Sequence, residues 1–138
     1  MVICMNNKKT GTDFENRVCD YLSGKGYWVH FIVPDARGAQ PFDVIAVKDG
    51  EAYAIDCKTC VANVFTINRL EENQIMAFQK WIRCGNFNAV IAIEHCEEMM
   101  CVDYMDLMYY KKVRLGGKKS ESKTDDCCEC VPFDDFFS

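Results

Sequence analysis

The 138 residues carry 16 basic and 21 acidic side chains, a formal net charge of −5, and 49% of them are hydrophobic. That length and apolar content suit one globular domain with its own core. No run approaches the roughly 18 apolar residues of a membrane span, and the start MVICMNNKKTGTD is too short and polar for a secretory signal, so a cytoplasmic protein with no membrane partner is expected.

The ten cysteines, without an export signal, read as reduced thiols filling a core rather than as a disulfide framework. Over half of the acidic excess lies near the C-terminus. Residues 1–115 hold 13 basic and 15 acidic side chains, and residues 116–138 hold 3 and 6. A site that gathers carboxylates around a metal is itself acidic, so a negative balance does not exclude a nucleic-acid partner.

After a loose lead-in, Thr12 or Asp13 can cap a helix in which Phe14, Val18, Tyr21 and Leu22 recur at helical spacing, with Gly24 and Gly26 ending it. Glu15 shares a stripe with Val18, Cys19 and Leu22, at the edge of the buried face. It is either an ordinary first-turn acid favoured by the helix dipole or a carboxylate kept for chemistry. Tyr27 to Val33 is β-branched and aromatic and reads as a buried strand. His30 within it fits a core or sheet-face histidine better than a metal ligand. The loop from Pro34 follows, in which Arg37 and Gln40 are either solvated or placed to contact phosphate.

The stretch PFDVIAVKDGEAYAIDCKT, from Pro41 to Thr59, contains two apolar runs around Asp49-Gly50, a strong signal for a two-residue hairpin turn. In that register Lys48 faces Glu51, Val44 faces Ile55, and Asp43 meets Asp56. Directly opposed side chains have Cβ atoms about 4.5 to 5.5 Å apart, and the period of two puts Lys58 on the face of Asp56. Two carboxylates so placed repel unless a cation lies between them. The alternative is a solvated pair on an exposed face, with Lys58 a simple counter-ion.

The connection CVANVFTI carries no clear assignment. Thr66 or Asn68 can start a helix that runs to about Cys84 and stops at Gly85, with Leu70, Ala77, Phe78 and Trp81 as its apolar stripe. Gln74 falls on that stripe, either as a boundary residue or to reach over the sheet toward the carboxylates. Asn88 to Glu94 reads as a buried strand, and a brief strand at Met100 to Val102 leads into a short helix ending near Tyr110. The composition turns polar at Gly116, dividing a domain at 1–115 from an acidic, Cys-containing tail at 116–138. In CCECVPFDDFFS adjacent cysteines point apart and no second pair stands at ligand spacing, which disfavours zinc. Phe133, Phe136 and Phe137 either dock or belong to a flexible tail, the default.

The order helix, strand, hairpin, helix, strand suggests an α/β fold with a mixed sheet flanked by helices. Glu15, the triplet Pro41-Phe42-Asp43, the triplet Asp56-Cys57-Lys58 and Gln74 together resemble the PD-(D/E)XK nuclease superfamily over residues 11 to about 95. The likeness is greatest to small Holliday junction resolvases, archaeal and RecU-like, and to related phage nucleases. It implies a restriction-endonuclease-like core and a Mg²⁺-dependent endodeoxyribonuclease, with Mn²⁺ able to substitute. Asp43 and Asp56 would hold the metal, and the resemblance implies the main-chain carbonyl of Cys57 as a further ligand. Glu15 would add a second-metal or water-mediated ligand. Lys58 would orient or deprotonate the attacking water, and Gln74 would position Lys58 or the phosphate. Arg37 and Gln40 would contact DNA. The expected substrate is a four-way junction, and the expected assembly is a two-fold homodimer. Asp56 stands where resolvases more often have Glu. Two alternatives stay open: a restriction-like or recombination-associated nuclease of the same superfamily, or a non-catalytic nuclease-fold module that binds DNA or protein.

Overall fold

A computed structural model describes residues 7–33, 41–116 and 127–137. The first helix, α1 (Asn7–Gly24), begins before the expected caps: Thr12 and Asp13 are exposed inside it, so neither serves as an N-cap. Its buried stripe is Phe14, Val18 and Leu22, all fully buried. It ends in a Schellman turn, with the Tyr27 N–H bonded to the Leu22 carbonyl and the Gly26 N–H to that of Ser23. Gly26 supplies the positive φ, +91°, that this turn requires.

Strands β1 (Trp28–Phe31), β2 (Val44–Lys48) and β3 (Glu51–Thr59) follow. Contrary to expectation, β1 is not buried. It is an edge strand whose residues alternate, with Val29 and Phe31 turned toward α1 and Trp28 60% exposed. His30 stacks on the Trp28 ring with centroids 5.9 Å apart, the sheet-face role expected for it. The β2–β3 hairpin has the expected register from Lys48↔Glu51 to Val44↔Ile55. Asp49 and Gly50 both have positive φ, 54° and 80°, as a type I′ turn demands.

The segment left unassigned contains β4 (Val64–Thr66) and a 3₁₀ turn (Ile67–Arg69). Helix α2 (Glu72–Arg83) therefore starts later than Thr66 or Asn68, with Glu71 as its N-cap and Leu70 held by the preceding turn. After it come β5 (Ala89–His95), β6 (Glu98–Asp103), α3 (Tyr104–Tyr110), β7 (Lys112–Arg114), β8 (Cys128–Glu129), β9 (Val131–Pro132) and α4 (Phe133–Phe136).

The main sheet has the order β1-β2-β3-β5-β6-β9, and β3 and β5 are its parallel pair, linked by the crossover through α2. A small sheet, β4-β7-β8, sits beside it. One face of the main sheet packs Phe42, Ala54, Ile91 and Ile93 against Phe78 of α2 and Leu107 of α3. The other packs Val44, Ala46, Ile55 and Val90 against α1 and against Phe133 and Phe137. Strand β3 is covered on both faces, so Ala54, Ile55 and Asp56 are all fully buried.

Residues 127–137 do not behave as the flexible tail taken as default. Phe133 and Phe137 are 2% exposed, and Phe137 packs edge-on against Tyr27 and Tyr53 at 5.8 and 5.7 Å. The thiols of Cys128 and Cys130 lie 3.5 and 3.3 Å from the carbonyls of Lys112 and Arg114, and burial pushes both up to about 11, so they are neutral donors. The nine described cysteines are all free. Among the described residues no helix is long and apolar enough to cross a membrane.

Candidate active site

The hairpin turn delivers Asp43 to the point where β2 leaves the regular ladder. The Asp43 N–H bonds to the Ile55 carbonyl at 3.0 Å, its carbonyl accepts from Ile32 at 2.9 Å, and its carboxylate accepts the Cys57 N–H at 2.7 Å. The expected pairing Asp43↔Asp56 thus lies one step beyond the last ladder pair, and the Asp43 side chain takes the place of a main-chain acceptor. The two carboxyl groups nevertheless lie near enough for the Asp43 charge to act on Asp56. Burial first, then the charge of Asp43, holds Asp56 well above the usual carboxylate range, with Lys58 opposing the rise.

Lys58 and Gln74 complete the group around Asp56. Gln74 donates its Nε2 to Asp56 Oδ1 at 2.8 Å, while its Oε1 accepts from Lys58 Nζ at 3.2 Å. The Lys58 ammonium stands 3.3 Å from Asp56 Oδ2. Oδ2 is fully buried and has no hydrogen-bond partner among the described residues. Gln74 is held there by the first turn of α2, and is one of the two buried residues of that helix. Beyond Lys58, the guanidinium of Arg69 ties down the end of β3 through the Thr59 carbonyl at 2.8 Å.

Glu15 arrives from α1. Desolvation, then repulsion from Asp43, raises it to about 7, with Lys58 opposing. It lines a cleft of about 280 Å³ together with Asp43, Cys57, Lys58, Glu71, Asn73 and Gln74. Cys57 is held well above the normal thiol range, by burial before the neighbouring Asp43 and Asp56 charges, so its side chain is a neutral thiol. Of the sequence-derived set, Glu15, Asp43, Cys57, Lys58 and Gln74 line this one cleft, with Asp56 buried beneath it. Arg37 and Gln40 lie outside the described residues. Glu71 and Asn73 went unremarked in the sequence; the signal for Glu71 was its place three residues before Gln74, a capping-box spacing.

The donor set suits a hard divalent cation. Mg²⁺ takes one or two carboxylates and keeps several waters, so it needs no all-protein cage. Among the described residues no three His, Cys, Asp or Glu side chains form such a cage. Two crowded carboxyl groups, one with an oxygen that is buried and lacks a hydrogen bond, are what such a cation would relieve.

A mixed sheet with a parallel crossover pair, flanked by helices and carrying this acidic cleft, is the fold of the PD-(D/E)XK nucleases. Within that superfamily the chain belongs to the archaeal Holliday junction resolvase family, whose model, described as "Archaeal holliday junction resolvase (hjc)", matches residues 6–126. The crystal structure of Archaeoglobus fulgidus Hjc, a Holliday junction resolvase from an archaeal hyperthermophile, is similar in fold. Its TM-score is 0.56 and its identity 19%, covering 70% of this chain and 78% of that one. No curated protein sequence matches the chain. The family's members are structure-selective nucleases that act on branched DNA.

Proposed function

We propose that this chain is a Mg²⁺-dependent resolvase that hydrolyses phosphodiester bonds of four-way DNA junctions at the Asp43–Asp56–Lys58 cleft. The observation that carries this reading is the buried Asp56, with Asp43 beside it and Lys58 3.3 Å from its Oδ2. Asp43, Asp56 and the carbonyl of Cys57 would hold the cation, with Glu15 reaching it through water or at a second position. When bound, the cation polarises the phosphate and lowers the pKa of a water enough to make it nucleophilic near neutral pH.

The chain's own residues do the rest. Lys58 Nζ, steadied by Gln74 Oε1, is the donor that faces the incoming phosphate, and it stabilises the negative charge that grows on its oxygens. Its place 3.3 Å from Asp56 Oδ2 suits it to orient the attacking water and to offset charge. Glu15, raised to about 7 in the metal-free cleft by desolvation and Asp43, would ionise more readily beside a cation, as a ligand reaching it through water must. Asp43 fixes the geometry of the strand end by accepting the Cys57 N–H, on the same strand edge from which the Cys57 carbonyl projects.

Resolution requires two opposed cuts, and the chain carries one such constellation among its described residues. Two copies related by a two-fold axis would supply the second cleft. The test is cleavage of four-way junctions against linear duplex and single strands, with Mg²⁺ or Mn²⁺, alongside the mass of the protein in solution. Paired nicks in opposed strands of the junction by a dimer support the reading. Equal cutting of linear duplex, or no cleavage with either metal, refutes it.

A further inference from the structure

The amide of Gln74 sits among three partners of fixed demand. Its oxygen accepts from Lys58 Nζ at 3.2 Å and from the main-chain N–H of Glu71 at 3.0 Å, and its nitrogen donates to Asp56 Oδ1 at 2.8 Å. The oxygen and nitrogen of an amide are nearly isosteric, so a glutamine's orientation is decided by its partners. Two of these partners are working groups: Lys58 and Asp56 change their company when a cation and a phosphate enter the cleft. The Glu71 N–H is different. It is a main-chain donor that cannot titrate, cannot accept and cannot leave.

Glu71 holds this place because it is the N-cap of α2, with φ −79° and ψ 156°. The N-cap and Gln74, three residues on, form a capping box, in which each one's side chain accepts the other's main-chain N–H. In most helices that device only ends the helix. Here the N3 side chain of the box is also the buried residue that touches both Asp56 and Lys58.

Resting on the resolvase reading above, we propose that residue 71 is a positioning residue of the active site. Through its main-chain N–H it locks the Gln74 amide with the oxygen toward Lys58 and the nitrogen toward Asp56, whatever else occupies the cleft. The N-terminus of α2 is thus the fixed reference for the catalytic lysine. The lock does not depend on the Glu71 carboxylate reaching the cleft contents.

Proline isolates the donor. Leu70 is extended, at φ −87° and ψ 138°, as the residue before a proline should be, and the φ of Glu71 is within the proline range. Glu71→Pro therefore deletes the N–H without changing the backbone path, whereas Glu71→Ala keeps the N–H and loses the side-chain half of the box. In single-turnover cleavage of a four-way junction by the full chain, Glu71→Ala is expected to slow the chemical step about threefold, the cost of a weakened cap. Glu71→Pro is expected to slow it about tenfold further, one hydrogen bond's worth, with junction affinity unchanged. Gln74→Glu still accepts at both positions and preserves the capping box, but cannot donate to an ionised Asp56. It should lose at least tenfold in rate, and the carboxyl placed against Asp56 should lower its thermal midpoint in metal-free buffer.

A second readout does not need activity. The Gln74 side-chain NH₂ resonances should stand apart from those of solvated glutamines in the wild type and in Glu71→Ala, and move to the solvated position in Glu71→Pro. Equal rates for Glu71→Ala and Glu71→Pro would overturn the proposal, because the side chain and not the N–H would then be responsible. Unmoved Gln74 resonances in Glu71→Pro would overturn it as well. If the wild type cuts no junction, the resolvase reading fails by itself, and the resonances still decide the lock.

Discussion

The carboxylate of Asp43 accepts the main-chain N–H of Cys57 at 2.7 Å, standing in for the carbonyl that a regular ladder would have offered. One side chain thereby joins a structural duty to a chemical one, and substitution can separate the two. Asp43→Asn keeps an oxygen for the Cys57 N–H and should fold with a thermal midpoint within a few degrees of wild type, while junction cleavage falls at least 100-fold for want of the charge. Asp43→Ala orphans the N–H and should cost about 1–3 kcal/mol in addition. Denaturant titration beside a cleavage assay checks both, and an active Asp43→Asn would remove Asp43 from the cation site.

Lys58→Ala should bind divalent cations at least as well as wild type, since its ammonium competes for Asp56 from 3.3 Å. Cleavage should fall about 100- to 1,000-fold, the usual cost of losing a donor to developing oxyanion charge. Calorimetric Mn²⁺ binding combined with single-turnover rates tests this. Weaker Mn²⁺ binding in the variant would mean that Lys58 shapes the cation site instead.

The position of Glu15 gives a pH-dependent stability. Its carboxyl titrates near 7 in the fold against an ordinary 4.5. Below about 4.5 it is protonated in both states and costs nothing. As pH rises from about 4.5 to 7 the unfolded chain ionises while the native one keeps its proton, so stability falls through that window and then levels off. Glu15→Gln should therefore match wild type at pH 4 and exceed it at pH 8 by about 1 kcal/mol, after discounting for the water that reaches the cleft. Urea midpoints at the two pH values, in metal-free buffer, measure it.

Phe137→Ala should cost about 3–5 kcal/mol, the usual range for removing a buried aromatic ring. An exposed control such as Phe87→Ala, whose ring is 62% exposed, should change the urea midpoint little. Equal midpoints for the two variants would show that the C-terminal aromatics are not part of the cooperative core.

The hairpin and its register were legible because turn chemistry is local: Asp49 and Gly50 determine the pairing without help from the rest of the chain. Gln74 was legible as a polar residue on an apolar stripe. Glu71 left only the faint signal of its spacing to Gln74, because Glu is an unusual N-cap and the start of α2 is set by the 3₁₀ turn before it. The exposure of β1 depends on which strand ends the sheet, a property of topology rather than of YWVHFIV. Phe133 and Phe137 looked like tail residues because their partners Tyr21, Tyr27 and Tyr53 are some 80 to 110 positions away, beyond any pattern of local periodicity.

That last packing carries a timetable. By the time a ribosome has made Gln74, every candidate catalytic group exists, yet the layer that seats α1 against the sheet still lacks Phe133 and Phe137. Glu15 rides on that helix. A nascent chain arrested before Phe133 should accordingly be cut within α1 by protease at a rate that drops once Phe133 and Phe137 emerge, so that nuclease competence waits for these residues rather than arriving with Gln74.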